Sequence, residues 1–209
     1  MCGKYGGPAE LAVHAGYLDV PPPFKNLNPG EEMRPMKMVS VFAKNAKGEM
    51  ILKEMKWGLI PNSYAGFLAD WKASTFHARL ETVASTRSFE HAWRLKRRVI
   101  FPMDRYFEKT KIIPGTNVRA DKALRVAITR ADEKPLGVAG IYDFANTIEG
   151  PILSCAMLTR SPGPRMMELH DREPVVIEPE NFQAWLDGSD DMDLETPWPD
   201  DAFNLALAA

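Results

Sequence analysis

The sequence predicts an α+β fold: a mostly antiparallel mixed sheet or an open β-barrel, with a few short helices. Eight short runs rich in β-branched and aromatic residues have the length of strands, whereas two segments carry helix signals. Residues 45–48, Asn-Ala-Lys-Gly, separate two of these runs and indicate a hairpin. Many short strands with few helices are typical of this class.

The elements are placed along the chain as follows. Glycine and proline clusters break the first thirty residues, which are predicted as loop with at most a short helix. Ser85 or Thr86 caps a predicted helix that runs to about Arg97, and residues 179–186 form a second helix that begins at a proline. The predicted strands are 39–43, 50–57, 99–101, 106–108, 124–129, 138–142, 153–159 and 175–177.

Length and composition indicate one medium globular domain or two small ones. The chain has 209 residues, 45% apolar and 26% charged, which is enough to bury a core without disulfides. We expect a single domain over residues 1–186 and an acidic, flexible tail over residues 187–209. No window has the roughly 18 uncharged apolar residues of a membrane helix, and the first residues lack the apolar region of a signal peptide. Two cysteines, Cys2 and Cys155, favour a reducing cytoplasm.

Charge is distributed unevenly along the chain. Residues 173–209 contain ten Asp and Glu and no Lys or Arg, so the first 172 residues carry all 26 basic residues against 18 of the 28 acidic ones. A basic body with an acidic end favours a polyanionic partner such as nucleic acid, although an acidic end that only aids solubility is common. Phosphate-binding candidates are Lys4, Arg79, Arg87, Arg94, Lys96, Arg97, Arg98 and Arg172, with Trp57, Tyr64 and Trp71 as stacking candidates. The alternative places Trp57 and Trp93 in the core and residues 94–98 on a solvated helix face.

Cys2 is a candidate nucleophile. Removal of Met1 places its thiol and a free α-amine on adjacent carbons, and these groups titrate near about pH 8.5 and about pH 8 in unperturbed peptides. An amine condenses with an aldehyde to give a Schiff base, and the neighbouring thiol can then close a thiazolidine ring. The alternative is an incidental terminal cysteine.

Glu108 and His170 are candidate proton carriers. Strand alternation places Glu108 at the end of a half-buried strand, where its pKa can be raised, and histidine titrates near neutrality. The alternatives are a surface Glu108 paired with Lys109 or Lys111 and a structural His170. No His or Cys pair has metal-ligand spacing, so we expect no metal. The sequence also lacks a Gly-rich phosphate loop and a serine nucleophile elbow.

Seven stretches, in order, resemble the SRAP (SOS response-associated peptidase) family. They are Met1-Cys2-Gly3-Lys4-Tyr5, Asn26-Leu27-Asn28-Pro29, Trp57-Gly58-Leu59-Ile60-Pro61, residues 77–82 (His-Ala-Arg-Leu-Glu-Thr), residues 102–108, Ala139-Gly140-Ile141-Tyr142, and Thr159 with His170-Asp171-Arg172-Glu173-Pro174. The resemblance covers residues 1 to about 186. The closing strands that the family has after its last helix are not recognisable in this sequence.

The resemblance implies a function in the SOS response to DNA damage. Family members crosslink to abasic sites in single-stranded DNA through an exposed N-terminal cysteine, forming a thiazolidine. The resemblance implies that Cys2 supplies the amine and the thiol and that Glu108 and His170 transfer protons. It also implies that His77 takes the place of an asparagine that orients the lesion. The DNA contacts carried over are Lys4, Asn26, Trp57, Pro61, Arg79, Arg87 and Arg172. The resemblance also implies AP-lyase and thiol autopeptidase activities, no cofactor, and a monomer that associates with the nucleoid.

The sequence departs from the family pattern at four positions. His77 replaces asparagine, and its hydrogen bonding depends on pH. Arg105 and Lys109 replace glycine and tryptophan, and we expect their charges to lower the pKa of Glu108. Glu173 replaces methionine or arginine and is expected to add a carboxylate beside Arg172.

Three functions remain open from the sequence. The first is the DNA–protein crosslinking enzyme. The second is a peptidase or amidohydrolase that uses Cys2 as an N-terminal nucleophile, and a single residue before Cys2 argues against it. The third is a non-covalent reader of single-stranded DNA, whose salt-sensitive binding survives Cys2→Ala.

Overall fold

A computed structural model describes residues 3–20, 30, 32–116 and 118–208. The strands are β1 (Lys4–Gly6), β2 (Glu32–Met33), β3 (Met38–Lys44), β4 (Met50–Trp57), β5 (His77–Arg79), β6 (Arg98–Met103), β7 (Arg105–Ile112), β8 (Arg119–Arg130), β9 (Leu136–Thr147), β10 (Gly150–Arg160), β11 (Glu173–Pro174), β12 (Val176–Ile177) and β13 (Phe203–Leu207). The helices are α1 (Leu11–Gly16), α2 (Glu90–Arg94), α3 (Pro164–Met167) and α4 (Phe182–Leu186), with 3₁₀ turns at Leu68–Asp70, Pro179–Asn181 and Asp200–Ala202. No helix in the described part of the chain has the length and apolar character needed to span a membrane.

Five strands close into a barrel. β4, β3, β6, β9 and β10 pair in that order, and β10 also pairs with β4. The ring is antiparallel except at the β4–β10 seam, which is parallel and only two residue pairs long. β5, β11 and β12 extend the barrel at its margins. The predicted α+β class with a mostly antiparallel, barrel-like sheet is therefore confirmed.

A second, antiparallel sheet has the order β13-β8-β7-β1-β2. One apolar cluster joins it to the barrel: Tyr5 and Tyr106 from this sheet lie with Val41, Trp57 and Phe101 from the barrel. This packing brings strand β7, which carries Glu108, against the barrel end where Trp57 lies.

A second apolar cluster lies on the other face of the barrel strands, beneath the helices. Leu11 of α1, Ala92 of α2 and Trp185 of α4 pack there with Phe42 and Ile100. β6 contributes alternate residues to both clusters, which explains why its sequence is an uninterrupted apolar run.

The predicted helix from residue 85 to 97 is too long. Only Glu90–Arg94 is helical, and Lys96 adopts a positive φ of 52° that turns the chain into β6. Arg98 is not on a solvated face: it is 5% exposed, with its guanidinium 3.9 Å from the Trp93 ring centroid and 4.8 Å from that of Trp185. These two cation–π contacts favour the turn over another helical residue.

The segment predicted as a flexible tail, residues 187–209, contributes a strand. β13 pairs with β8 over five residues, and the buried Phe203 stacks on Trp198 with ring centroids 5.5 Å apart. This is the closing strand that the sequence did not reveal, because five residues with one large aromatic give little periodicity. The chain thus returns to the sheet after its acidic stretch.

Candidate active site

Glu108 lies on β7 with its side chain directed into the protein. β7 alternates along its length: Tyr106, Glu108 and Thr110 are buried, whereas Arg105 and Lys109 are exposed. Glu108 is only 3% exposed. Burial raises its pKa to about 7, and the Asp171 carboxylate acts in the same direction. The carboxyl group is therefore near half-protonated at neutral pH and can give or take a proton.

β1 pairs with the strand that carries this carboxyl group. Lys4 is paired with Phe107 and Tyr5 with Tyr106 in an antiparallel register. Followed back from Lys4, the chain therefore runs along β7 in the direction of Glu108. Cys2 is two residues before Lys4 in the sequence and lies outside the described residues, as does Asn26.

His170 lies in the connection between α3 and β11. Its Nδ1 accepts a hydrogen bond from the backbone N–H of Arg172 at 3.1 Å and lies 2.6 Å from a carboxylate oxygen of Asp171. These contacts compete for one nitrogen: the neutral ring accepts from Arg172, and the protonated ring donates to Asp171. Partial burial is the main cause that lowers the pKa of His170. The neutral ring, with its proton on Nε2, is the form expected at neutral pH.

Arg172 is held in a fixed orientation. Its guanidinium donates two hydrogen bonds to the carboxylate of Glu81, at 2.7 and 2.8 Å, and a third to the carbonyl of Thr159 at 2.7 Å. The same pairing lowers the pKa of Glu81 to about 2. Arg79 is exposed on β5, where it pairs with Thr159, so Arg79 and Arg172 both lie at this end of β10. Arg87 is exposed farther along the same segment.

His77 occupies the other end of β5. Its ring is half-buried, and its centroid lies 4.6 Å from that of the Phe76 ring and 6.1 Å from that of the Trp57 ring. The centroids of the Trp57 ring and the Tyr5 ring of β1 are 5.3 Å apart. This aromatic chain links β5 to β1. Trp57 itself is fully buried and donates from its indole nitrogen to the Phe76 carbonyl at 2.9 Å.

Trp57 and Pro61 therefore differ from the expected DNA contacts. Both are buried, so neither ring can stack on a base in this structure. Gly58 lies between them at a φ of +143°, a conformation that an L side chain rarely adopts, and its N–H donates to the Cys155 carbonyl at 2.9 Å. The stretch from Trp57 to Pro61 therefore shapes the wall of the site through its backbone and its packing.

A sequence profile of the SOS response associated peptidase (SRAP) family matches residues 1–205. The chain belongs to the SRAP family. The resemblance carried by the seven stretches is thereby confirmed.

Curated SRAP relatives are similar in sequence over most of this chain. YobE of Bacillus subtilis is 28% identical over 189 residues, which cover 89% of this chain and 82% of YobE. YedK of Escherichia coli is 29% identical over 127 residues, which cover 58% of this chain and 52% of YedK. Both relatives bear the name abasic site processing protein.

Solved structures share the SRAP architecture. A crystal structure of a protein from Bordetella bronchiseptica has a TM-score of 0.85 and 27% identity, and the match covers 100% of both chains. A crystal structure of a protein from Bacteroides thetaiotaomicron has a TM-score of 0.80 and 19% identity, covering 100% of this chain and 92% of the other, and shares the fold.

Two departures from the SRAP pattern have a different effect from the one expected. Arg105 and Lys109 are on the face of β7 opposite to Glu108, and the pKa of Glu108 is raised rather than lowered. Adjacent residues of a strand point to opposite faces, so proximity in sequence does not place these charges beside the carboxyl group.

The fourth departure, Glu173, does not lie beside Arg172. Its carboxylate accepts from Nε of Arg160 at 2.8 Å and from the backbone N–H of Gly163 at 3.2 Å, and both charged side chains are buried. Arg172 and Glu173 are neighbours in the chain and point apart, because β11 is extended. Glu173 is therefore the counterion of a buried arginine.

Glu173→Gln is expected to destabilise the SRAP fold by about 3 kcal/mol, because it leaves the Arg160 charge buried without its partner. For a chain of this size that corresponds to a fall in Tm of about 6–12 °C. Thermal unfolding followed by circular dichroism measures it. Glu180→Gln, which breaks an exposed pair with Lys134, is the matched control and is expected to leave Tm almost unchanged, because solvent screens an exposed ion pair. Equal shifts for the two variants would contradict the prediction.

Two residues of the site were not among the predicted functional residues. Asp171 acts on the titration of both Glu108 and His170, and Glu81 orients Arg172. Both lie inside stretches that resemble the family, so the resemblance could have drawn attention to them. Their partners could not be read from the sequence, because they come from distant strands. Among the described residues, no group of three or more His, Cys, Asp and Glu side chains is placed to hold a metal ion.

Proposed function

We propose that this protein crosslinks covalently to abasic sites in single-stranded DNA through Cys2. The observation that carries the proposal is the buried carboxyl group of Glu108, whose pKa is raised to about 7, on the strand next to the start of the chain. The names of the curated relatives, all similar to this chain over more than half its length, support the same substrate.

The reaction begins after removal of Met1. The Cys2 amine attacks the aldehyde carbon of the ring-opened abasic sugar, a C–N bond forms, and the carbonyl oxygen takes up a proton. Protonated Glu108 then gives a proton to this hydroxyl group, which leaves as water as the C=N bond of the Schiff base forms. A raised pKa keeps enough of the acid protonated at neutral pH for this step.

The thiazolidine closes in a second step. Sγ of Cys2 attacks the carbon of the protonated imine, which already carries a hydrogen on its nitrogen, and the thiol proton passes to His170, so the crosslink forms with the net loss of one water. Neutral His170 accepts a proton during ring closure and returns it during reversal, using the Asp171 contact to stabilise its charged form. The two partners available to Nδ1, the Arg172 N–H for the neutral ring and the Asp171 carboxylate for the protonated ring, support this role.

The Schiff base is also the branch point to lyase chemistry. Loss of a proton from the carbon next to the imine carbon expels the 3′ phosphate and cleaves the strand. Fast closure of the thiazolidine withdraws the intermediate from this path, so the crosslink and the lyase product compete. We place strand cleavage as the minor outcome when Cys2 is intact.

Cationic side chains around the site hold the DNA. Arg79 and Arg172 at one end of β10 bind the phosphates that flank the lesion. Lys4 was expected to join them, but it is in register with Phe107 and so lies on the face of the sheet away from Glu108. Arg87 extends this set, and Asn26 completes the DNA contacts. The His77 ring, at the other end of β5 from Arg79, orients the abasic sugar with one ring nitrogen.

The test mixes the protein with a labelled single-stranded oligonucleotide that carries one abasic site. After heating in denaturant, a gel is expected to show a shifted band at the mass of the protein–DNA adduct. The control oligonucleotide carries a tetrahydrofuran analogue, which lacks the aldehyde and is expected to give no band. Absence of a heat-stable band, from protein whose measured mass shows that Met1 has been removed, would overturn the proposal.

A further inference from the structure

A pocket opens beside the second apolar cluster, the one beneath the helices. It lies between the end of β5, helix α2, the start of β6 and the stretch that follows α4. Its volume is about 340 Å³, near the lower end of the range of roughly 300–1,000 Å³ for small-molecule sites. We call it the Arg98 pocket. The cationic, aromatic and apolar residues that line it are Leu80, Trp93, Arg98, Trp185, Met192 and Leu194.

Arg98 is buried in this pocket and has no counterion among the described residues. Its guanidinium contacts the rings of Trp93 and Trp185. Nη1 donates to the Trp93 carbonyl at 3.4 Å, whereas Nε and Nη2 donate no hydrogen bond within the described part of the chain. Asp190 is the acid whose charge acts on Arg98, but it forms its ion pair with Lys96, at 2.7 Å. Burial lowers the pKa of Arg98 to about 10, so the group is still charged at neutral pH. A buried charge that lacks an anion is unfavourable, and an anionic ligand that reaches Nε and Nη2 would stabilise it.

The free donors of Arg98 select the group that can bind there. Nε–H and Nη2–H lie side by side on one edge of the planar guanidinium, at the spacing of the two oxygens of a carboxylate. A carboxylate that accepts both hydrogen bonds neutralises the charge and also satisfies the buried Nε. The buried end of the pocket therefore fits a small carboxylate.

The exposed end of the pocket carries the opposite charge. Asp193 and Glu195 line it, and both residues are exposed. One oxygen of Asp193 accepts from the backbone N–H groups of Glu195 and Thr196, each at 3.0 Å, and hydrogen bonding with Thr196 lowers the pKa of Asp193. The Glu195 carboxylate makes no ion pair with a described residue. These two carboxylates repel a simple anion and fit an ammonium group.

We propose that the Arg98 pocket binds a free amino acid with an apolar body. The carboxylate of the ligand pairs with Arg98, its ammonium group binds the carboxylates of Asp193 and Glu195, and its hydrocarbon part packs on the apolar residues that line the pocket. A simple anion would meet the acids at the exposed end, and a simple amine would leave Arg98 unpaired. A molecule with both charges matches both ends. The inference goes beyond the crosslinking function and does not depend on it.

The test is a titration followed by NMR of the tryptophan indole N–H signals. The probes are L-leucine, in which the two charged groups share one carbon, and 6-aminohexanoate, in which a chain of methylene groups separates them. Each is added to about 20 mM, well above a Kd of about 1 mM, which is within reach of so small a ligand. At least one probe is expected to shift the signals of Trp93 and Trp185 and to leave that of Trp198, which lies outside the pocket, unchanged.

Singly charged compounds separate the two ends of the pocket. For L-leucine they are 4-methylpentanoate, which lacks the ammonium group, and 3-methylbutylamine, which lacks the carboxylate. For 6-aminohexanoate they are hexanoate and pentylamine. Each is expected to bind about tenfold more weakly than its parent, because it loses the hydrogen bonds of one charged group. Binding of a singly charged compound as tight as that of its parent would overturn the inference.

Two variants test the protein side. Arg98→Met keeps a long side chain beside the two rings and removes the charge, and Glu195→Gln removes an exposed carboxylate without touching the core. Each is expected to weaken binding of the probe about tenfold, whereas Glu168→Gln, an exposed site outside the pocket, is expected to keep the wild-type affinity. If Arg98→Met does not fold, Glu195→Gln still decides. Wild-type affinity in Glu195→Gln, or no shift of Trp93 and Trp185 with either probe, would overturn the inference. The titrations contain no DNA, so a protein that forms no crosslink still gives a result.

Discussion

Cys2→Ala is expected to abolish the heat-stable band formed with abasic single-stranded DNA, while leaving a band that appears when borohydride is added. Alanine keeps the α-amine, so the Schiff base still forms and reduction traps it. It lacks Sγ, so the imine hydrolyses on heating instead of closing to a thiazolidine. The comparison therefore separates the amine from the thiol. A denaturing gel of each reaction, with and without reductant, measures it.

The second cysteine provides the matched control. Cys155 is fully buried in β10, and burial raises the pKa of its thiol, so it is not a competent nucleophile. Cys155→Ala is expected to crosslink as the wild type does. A heat-stable band from Cys2→Ala without reductant would contradict the proposal, because it would show that another group attacks the aldehyde. Binding of DNA by Cys2→Ala with wild-type affinity, measured without reductant, would agree with the proposal.

Much of the fold was predictable because its signals are local. The hairpin between β3 and β4 and the apolar run of β6 are visible in short windows. The ends of the elements were not predictable in this way. α2 stops early because the Trp93 and Trp185 rings both contact the Arg98 guanidinium, and Trp185 is 87 residues away in the sequence. β13 was missed for a similar reason, since its stability comes from β8.

The candidate site was likewise predictable from the sequence only in part. Alternation along β7 predicts which face Glu108 takes, and the same rule, applied to Arg105 and Lys109, predicts that they cannot act on it. The pairing of Arg172 with Glu81 and of Glu173 with Arg160 depends on β10 lying between β5 and β11, which no local pattern encodes. Trp57 illustrates the limit: a tryptophan in a recognised stretch gives no indication of whether it faces DNA or the core.

Glu108→Gln is expected to slow formation of the crosslink by about 10²-fold or more, because a positioned proton donor contributes at least that much. The wild-type rate is expected to pass through a maximum: the amine must lose its proton as pH rises, whereas Glu108, with a pKa of about 7, must keep one. The variant is expected to lack the decrease in rate above the maximum, so its rate only rises with pH. Single-turnover rates on abasic DNA from pH 5.5 to 9 measure both profiles.

The same substitution is expected to make the protein more stable above neutral pH. The folded-state pKa of Glu108, about 7, is above its ordinary value of 4.5, so the folded protein binds the proton more tightly than the unfolded chain. As pH rises from about 4.5 to about 7 the wild type therefore loses stability from this group, reaching about 3 kcal/mol, and loses no more beyond that. Glutamine never ionises, so the variant is expected to exceed the wild type in Tm at pH 8 and to match it near pH 4. Slower chemistry in a more stable protein assigns the loss to the carboxyl group itself, whereas a less stable variant at pH 8 would contradict the burial that gives Glu108 its role.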